Sequence, residues 1–295
     1  MKLQGTFTAL VTPMREGTVD MKTFEALLER QIAAGIQGLV VCGTTGEAAT
    51  LTQDEYESLV RATVKAAAGR LPVIAGTGSN DTRSTILRTK QVRDWGVDAA
   101  LVVTPYYNKP TQEGLYHHYE RLASEAGLPM VLYNVPGRTG ANLAPGTTAR
   151  LADIDEIVAL KEASSDWSQL YDDIRLCAHR IDILSGNDDL AFPAICAGAA
   201  GVISVASNVI PEAMNAMVQA ALQGNLAEAR KLHYHHLDLM RALFFETNPA
   251  PAKQAMAFMG LMSPEVRLPL WEMRPENAQR LQAVLQDLNL IPPGA

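Results

Sequence analysis

Eight short apolar runs alternate with longer amphipathic segments over residues 1–224, and this alternation limits the possible folds more than any other feature. Runs rich in Val, Ile, Leu and Ala are typical of strands that are buried on both faces of a parallel sheet. Strands that alternate with helices in this way indicate an α/β protein. The predicted strands are 7–11, 38–42, 72–75, 99–103, 130–133, 157–161, 182–184 and 201–205.

The segments between these runs carry residues that start helices. Residues 52–55 (TQDE) have the capping-box pattern, in which the first and the fourth side chain each accept a hydrogen bond from the other residue's backbone N–H. Asn80 or Asp81 can cap the next helix, and Thr111 can open the one after it. Further helices are predicted at 166–179 and 211–222.

Eight consecutive strand–helix units close into a (β/α)8 TIM barrel when every crossover is right-handed. An open, doubly wound sheet is the alternative α/β architecture. That fold places a glycine-rich fingerprint after its first strand, whereas the first run here ends in VTP at residues 11–13. The barrel is therefore favoured.

Strand-like runs stop after Gly224, and only helical patterns follow, at 225–246, 251–262 and 275–288. We predict a (β/α)8 barrel catalytic domain at 1–224 and a C-terminal helical domain at 225–295. A helical segment of this size is expected to pack on the side of the barrel or to support a subunit contact.

Composition and charge exclude several classes of protein. The net charge of −7 and the isoelectric point near 5.4 disfavour nucleic acids and anionic membranes as partners. No apolar run approaches the roughly 20 residues that span a bilayer, and residues 1–13 lack the pattern of a secretory signal. The three cysteines are widely spaced, and His233, His235 and His236 lack the spacing of a metal site. A cytoplasmic protein that needs no metal is expected.

The sixth run, 157–161, ends in a lysine, which is an unusual residue for a buried parallel strand. An amine held in apolar surroundings is more readily neutral and can attack a carbonyl carbon to form a Schiff base. The alternative is a salt bridge between Lys161 and a neighbouring carboxylate, for which Glu162 is the candidate.

In a barrel of this kind the active site lies at the C-terminal ends of the strands. Hydroxyl-bearing, charged and small residues collect at these ends, in the loops 43–47, 76–80, 104–108, 133–140, 161–164, 185–188 and 204–208.

Five of these side chains suit a Schiff-base enzyme. Lys161 can supply the nucleophilic amine, and Tyr133, one strand earlier, can move protons. Thr44 and Thr45 offer hydroxyls and backbone N–H groups to a carboxylate or oxyanion, and Arg138 can bind a carboxylate through two N–H groups. Each residue alone has an ordinary structural role as alternative, but their joint placement on successive strands favours a site.

Four motifs carry a resemblance to a known family: GTTGE at 43–47, YY at 106–107, YNVPGRTG at 133–140 and KE at 161–162. They resemble the pyruvate-dependent class I aldolases, and in particular the 4-hydroxy-tetrahydrodipicolinate synthases, also called dihydrodipicolinate synthases. The resemblance covers essentially the whole chain, including the helical tail. It implies condensation of pyruvate with L-aspartate 4-semialdehyde in lysine and diaminopimelate biosynthesis, with no cofactor.

The resemblance also implies catalytic roles. Lys161 would form the Schiff base with pyruvate, and Tyr133, Thr44 and Tyr107 would form a proton relay. Tyr107 would reach into the site of a neighbouring subunit, which implies a homotetramer built as a dimer of dimers.

Further positions match substrate-binding residues of the family. Thr45 is implied in binding the pyruvate carboxylate and Arg138 in binding the carboxylate of the semialdehyde. Val205 matches a position that lines the pyruvate pocket, and Gly186 and Ile203 match positions whose main chain faces the same site.

The resemblance extends to a second pocket, at the subunit interface, where lysine inhibits some members of the family. Asn80 and Tyr106 match positions of that pocket. Tyr56 and Ser84 stand where such members commonly carry histidine and glutamate. Loss of a carboxylate that could pair with the ammonium group of lysine predicts weak or absent inhibition.

Three other functions are considered. An aldolase for a 2-keto-3-deoxy sugar acid or for N-acetylneuraminate would favour hydroxyls and amides over Arg138. A phosphosugar-binding barrel is disfavoured by Asp188, which lies in the loop after strand seven, where barrels often bind phosphate. A non-catalytic binding protein on the same scaffold is disfavoured by the intact set of candidate catalytic residues.

Overall fold

Eight parallel strands close into a barrel in the computed structural model, which describes residues 1–292. The first barrel strand pairs with both the second and the last, so that the sheet closes. In chain order, the barrel strands are Gly5–Ala9 (β1), Gly38–Val41 (β4), Val73–Gly76 (β5), Ala99–Val103 (β6), Met130–Asn134 (β7), Ile157–Glu162 (β8), Asp182–Ser185 (β9) and Gly201–Ser204 (β10). The predicted fold class is confirmed.

A short antiparallel hairpin, Met14–Arg15 (β2) and Thr18–Val19 (β3), follows the first barrel strand. It was not predicted, because two residues a strand are too few to show an alternating pattern.

Helices cover the outside of the barrel. They are Met21–Ala33 (α1), Gln53–Ala67 (α2), Thr82–Asp94 (α3), Gln112–Ala126 (α4), Pro136–Thr139 (α5), Pro145–Leu151 (α6), Trp167–Cys177 (α7), Asp188–Cys196 (α8), Pro211–Leu222 (α9), Leu226–Ala242 (α10), Ala250–Phe258 (α11) and Pro275–Asp287 (α12). Two 3-10 turns lie at Ala48–Thr50 and Ala206–Asn208. Within residues 1–292, no helix combines the length and the apolar character needed to cross a lipid bilayer.

The predicted helix starts are confirmed at atomic level. Thr52 and Glu55 form both hydrogen bonds of the capping box at the start of α2. Thr111 caps α4, where its side chain accepts from the backbone N–H of Gly114. Of the two candidates for α3, Asp81 is the cap, since its carboxylate accepts from the backbone N–H groups of Arg83 and Ser84.

The tail helices share a hydrophobic core with the barrel. Val202 of β10 and Met214 of α9 belong to the same buried cluster as Leu239 of α10, Met256 of α11 and Leu281 of α12. Helix α10 packs on α8 and α9, while α12 packs on α10 and α11. The domain boundary after Gly224 remains a prediction, and residues 293–295 of the predicted helical domain lie outside the described residues.

Candidate active site

Lys161 and Tyr133 lie side by side in the barrel wall. They are register partners on the adjacent strands β8 and β7, so their side chains project to the same side of the sheet. Lys161 is 6% exposed, and its Nζ lies 4.3 Å from the centroid of the Tyr133 ring. The amine is therefore buried against the face of an aromatic ring.

The alternative role for Lys161, a salt bridge to Glu162, is wrong. Successive side chains of a strand point to opposite faces, so Glu162 projects away from the barrel interior. Its carboxylate accepts from Asn134 Nδ2 at 2.9 Å, from Gln169 Nε2 at 3.1 Å and from the backbone N–H of Ser164 at 2.6 Å. No carboxylate oxygen of residues 1–292 lies within 4.0 Å of Lys161 Nζ.

Two adjoining cavities open at the C-terminal ends of the strands. The inner cavity, of about 60 Å³, is lined by Lys161, and the outer one measures about 360 Å³. The residues that line both are Gly43, Thr44, Leu101, Tyr133, Arg138 and Asn248. The two cavities therefore form one site, with a small compartment at the amine and a larger compartment in front of it.

The loop that carries Thr44 and Thr45 is anchored by a buried ion pair. Glu47 ends this loop with a φ of 54°, and its carboxylate lies 2.7 Å from Lys253 Nζ on α11. Both side chains are almost fully buried, at 1% and 0% exposure. The second carboxylate oxygen accepts from the backbone N–H of Arg267 at 2.9 Å. Residues of the C-terminal tail therefore fix the position of the loop 43–47.

The tail also reaches the site directly through Asn248. Its Nδ2 donates to Thr45 Oγ1 at 3.0 Å, and its backbone carbonyl accepts from Arg138 Nη2 at 3.4 Å. No carboxylate of the described residues pairs with Arg138. The guanidinium that borders both cavities is therefore available to a ligand carboxylate.

Comparison with known proteins shows the family of this chain. The model of the dihydrodipicolinate synthetase family matches residues 2–288. The chain belongs to this family. The 4-hydroxy-tetrahydrodipicolinate synthase of Syntrophobacter fumaroxidans is 50% identical over 289 residues, which are 98% of this chain and 99% of the relative.

Solved structures of the family share the fold along nearly the whole chain. Dihydrodipicolinate synthase from Thermotoga maritima has a TM-score of 0.97 at 43% identity, covering 99% of this chain and 100% of that one. The chloride-inhibited dihydrodipicolinate synthase from Acinetobacter baumannii, solved in complex with pyruvate, has a TM-score of 0.96 at 42% identity. That match covers 98% of this chain and 99% of the other.

Of the remaining residues that the family resemblance implies, two line the inner cavity and one does not. Gly186 and Val205 line the inner cavity, whereas Ile203 lines neither cavity and its side chain packs in the barrel interior. A Cβ on Gly186 would lie 2.5 Å from the Cβ of Ala163, so only glycine allows this close approach. Asp188 holds the turn at Val205, where its carboxylate accepts from that backbone N–H at 3.0 Å.

Tyr107, the third member of the predicted family relay, lies away from both cavities of its own chain. It is 88% exposed, with a φ of 71°, while the adjacent Tyr106 lines the outer cavity. One chain thus brings Lys161, Tyr133 and Thr44 together without Tyr107. Its place in the site of a neighbouring subunit remains a prediction.

The histidine at position 233 has a packing role. His233 is buried against the ring of Phe192, and burial lowers the pKa of its imidazole. Among residues 1–292, no group of three or more His, Cys, Asp or Glu side chains is arranged to hold a metal ion.

Proposed function

We propose that this protein condenses pyruvate, held as a Schiff base on Lys161, with L-aspartate 4-semialdehyde to give 4-hydroxy-tetrahydrodipicolinate. The observation that carries the proposal is the buried Lys161, which has no ion-pair partner in the described chain and lies beside Tyr133 in a small compartment. Relatives of 44–50% identity over nearly the whole chain carry the name of this activity, which supports it.

The proposed reaction follows from the chemistry of an amine. Lys161 Nζ attacks the C2 carbonyl of pyruvate, and loss of water from the carbinolamine gives the imine. Loss of a methyl proton converts the imine into an enamine, whose terminal carbon forms a bond to the aldehyde carbon of the semialdehyde. The amino group of the product then displaces Lys161 and closes the ring, which regenerates the free amine. The whole reaction releases one water.

Protons for these steps would pass through Tyr133, whose side chain lies against Lys161, and through the hydroxyl of Thr44. Such proton transfers by a positioned side chain are worth about 10²–10⁴-fold in rate. Thr45 would bind the pyruvate carboxylate, because it lines the inner compartment. Arg138, at the border of the two compartments, would bind the carboxylate of the incoming semialdehyde.

Tyr107 would complete the relay of a neighbouring chain in a homotetramer built as a dimer of dimers. Its exposure of 88%, next to the partly exposed Tyr106, supports a contact surface at this position. We further propose that the enzyme acts in the cytoplasm and needs no metal or organic cofactor, since the Schiff-base route requires only an amine and proton carriers.

Replacing Arg138 by glutamine tests the choice of the second substrate. We expect kcat/KM for L-aspartate 4-semialdehyde to fall about 10²–10³-fold, because a desolvated carboxylate loses its charged partner. Trapping of pyruvate by borohydride should remain near the level of the unchanged protein. Arg121→Gln is the control, since Arg121 pairs with Glu125 on the surface of α4. Efficient cleavage of N-acetylneuraminate, with little effect of Arg138→Gln on the semialdehyde reaction, would contradict the proposal.

Sensitivity to lysine gives a further expectation. The hydroxyl of Tyr56 is engaged with the Gly76 carbonyl at 2.8 Å, and the guanidinium of Arg88 lies 4.8 Å from the centroid of its ring. Ser84 contributes a hydroxyl to the Asp81 helix cap. Neither Tyr56 nor Ser84 offers a carboxylate to the ammonium group of lysine, and Arg88 adds a positive charge beside Tyr56, so we expect no inhibition in the micromolar range. Initial rates at increasing L-lysine concentration measure this, and half-inhibition by micromolar lysine would show the expectation to be wrong.

A further inference from the structure

A network of buried polar side chains lies directly behind the candidate catalytic pair. Asn134 and Glu162 follow Tyr133 and Lys161 in their strands and are themselves register partners. Because side chains alternate along a strand, the pair 134/162 faces the surrounding helices while the pair 133/161 faces the cavity. Any displacement of Glu162 is therefore transmitted through one peptide unit to Lys161.

Glu162 is a buried carboxylate that is held by neutral donors. Asn134 Nδ2, Gln169 Nε2 and the backbone N–H of Ser164 all donate to it, and no cation of residues 1–292 lies within 4.0 Å of it. Asn142 ties the network together, since its Oδ1 accepts from Asn134 and its Nδ2 donates to Gln169. Several N–H donors of this kind stabilise the ionised form of a carboxyl group.

A second carboxyl group, Asp173, is buried next to Glu162. It lies on α7 four residues after Gln169, so both residues share one helix face. Asp173 is completely buried, and neither of its oxygens accepts a hydrogen bond of good geometry in the described chain. The carboxyl group of Glu162 and the hydroxyl of Thr148 lie within side-chain hydrogen-bonding reach of it. A second charge beside Glu162, away from water, would be strongly disfavoured.

The surroundings of Asp173 favour its neutral form. Burial and the nearby Glu162 of β8 raise the pKa of its carboxyl group to about 8, and Asp172 on the same helix acts in the same direction. From α6, Thr148 presents a hydroxyl, which opposes the shift. Cys177, one turn further along α7, is also close, and burial raises the pKa of its thiol to about 11. The neutral acid is therefore the favoured form of Asp173 below its raised pKa.

We propose that Glu162 and protonated Asp173 form a positioning pair, in which the Asp173 O–H donates to Glu162 and keeps Lys161 and Tyr133 aligned. The proposal rests on the proposed function, because the alignment of Lys161 and Tyr133 is measured by the formation of the pyruvate adduct. When Asp173 ionises, two negative charges face each other behind β8, and Glu162 moves away. Adduct formation should then fall as the pH rises through about 8, although a free amine becomes a better nucleophile with rising pH.

The rate of pyruvate adduct formation, trapped by borohydride between pH 6 and pH 10, tests the pair. Asp173→Asn keeps an N–H donor toward Glu162 and cannot ionise, so it should match the unchanged protein at pH 7 and lack its decline above pH 8. Glu162→Gln places an NH2 group among the N–H donors that now bind the carboxylate. It should slow adduct formation roughly 10–100-fold at every pH, which is the effect expected when a reacting group is misplaced. Glu57→Gln, at a surface carboxylate of α2 that pairs with Arg61 and does not act on Asp173, is the control and should keep the original profile. Superimposable profiles for Asp173→Asn and the unchanged protein would overturn the proposal.

Unfolding in the absence of pyruvate separates this proposal from the proposed function. Asp173 titrates near its usual 3.8 in the unfolded chain and near 8 in the folded one. Its stabilising effect is therefore complete below about pH 4 and is lost as the pH rises to about 8. As the pH rises across this range, the free energy of unfolding of the unchanged protein should therefore fall relative to that of Asp173→Asn.

The two measurements together assign a failure to one proposal or the other. Absence of an adduct in every variant, with the stability difference present, would refute the proposed function and the positioning role and would leave only the raised pKa of Asp173. A stability difference that does not change with pH would refute the pair itself, whatever the adduct does.

Discussion

Replacement of Lys161 by alanine should abolish the borohydride-trapped pyruvate adduct and lower turnover by roughly four orders of magnitude or more, as loss of a covalent nucleophile does. The variant should still fold, because Lys161 has no carboxylate partner among the described residues that would be left uncompensated. Mass spectrometry of the trapped protein and a turnover assay measure both effects.

The control for this experiment is Lys231→Ala, at a lysine that is 76% exposed on α10. It should leave the adduct and the turnover unchanged. A persisting adduct in Lys161→Ala would place the nucleophile at another amine and would refute the proposed mechanism.

The second large effect concerns stability. Lys253→Met should lower the free energy of unfolding by about 3–5 kcal/mol, because it leaves the buried carboxylate of Glu47 without its cation. The same change should loosen the loop that carries Thr44 and Thr45, and so reduce kcat/KM for pyruvate. Denaturant unfolding at a fixed protein concentration measures the first effect, since subunit association adds to apparent stability.

A double variant shows whether the ion pair is the cause. Glu47→Gln combined with Lys253→Met removes both charges, and it should recover most of the stability that Lys253→Met alone loses. If the single and the double variants are equally unstable, the loss comes from packing around α11 and the role of the buried pair is refuted.

The two lysines that are buried within residues 1–292 differ in what surrounds them. Lys253 lies 2.7 Å from a carboxylate and stabilises the loop 43–47, whereas Lys161 has no such partner and lies beside a tyrosine ring and a cavity. The absence of an ion pair, within the described chain, is what makes Lys161 the candidate nucleophile, because an unpaired buried amine is free to react.

The strand-end residues of the site could be predicted because a parallel barrel brings the C-terminal ends of its strands together. Lys161, Tyr133, Thr44 and Arg138 all follow from this rule once the eight runs are recognised. Their catalytic and binding roles remain predictions that the experiments above test.

The contribution of the tail could not be predicted in the same way. Asn248 and Lys253 lie 203 and 206 residues from their partners in the loop 43–47. A lysine within a largely apolar helix, 250–258, hints at a buried partner but does not identify that partner.

The sequence by itself determined the barrel, the helix caps and the ring of strand-end residues, because hydrophobic periodicity and capping chemistry act over a few neighbouring residues. Only the tertiary structure decided which buried charge meets which partner. It placed Asp173 beside Glu162, and it paired Glu47 with Lys253. Such pairings depend on distances between side chains that are far apart in the chain, and those distances exist only after the strands and helices have packed.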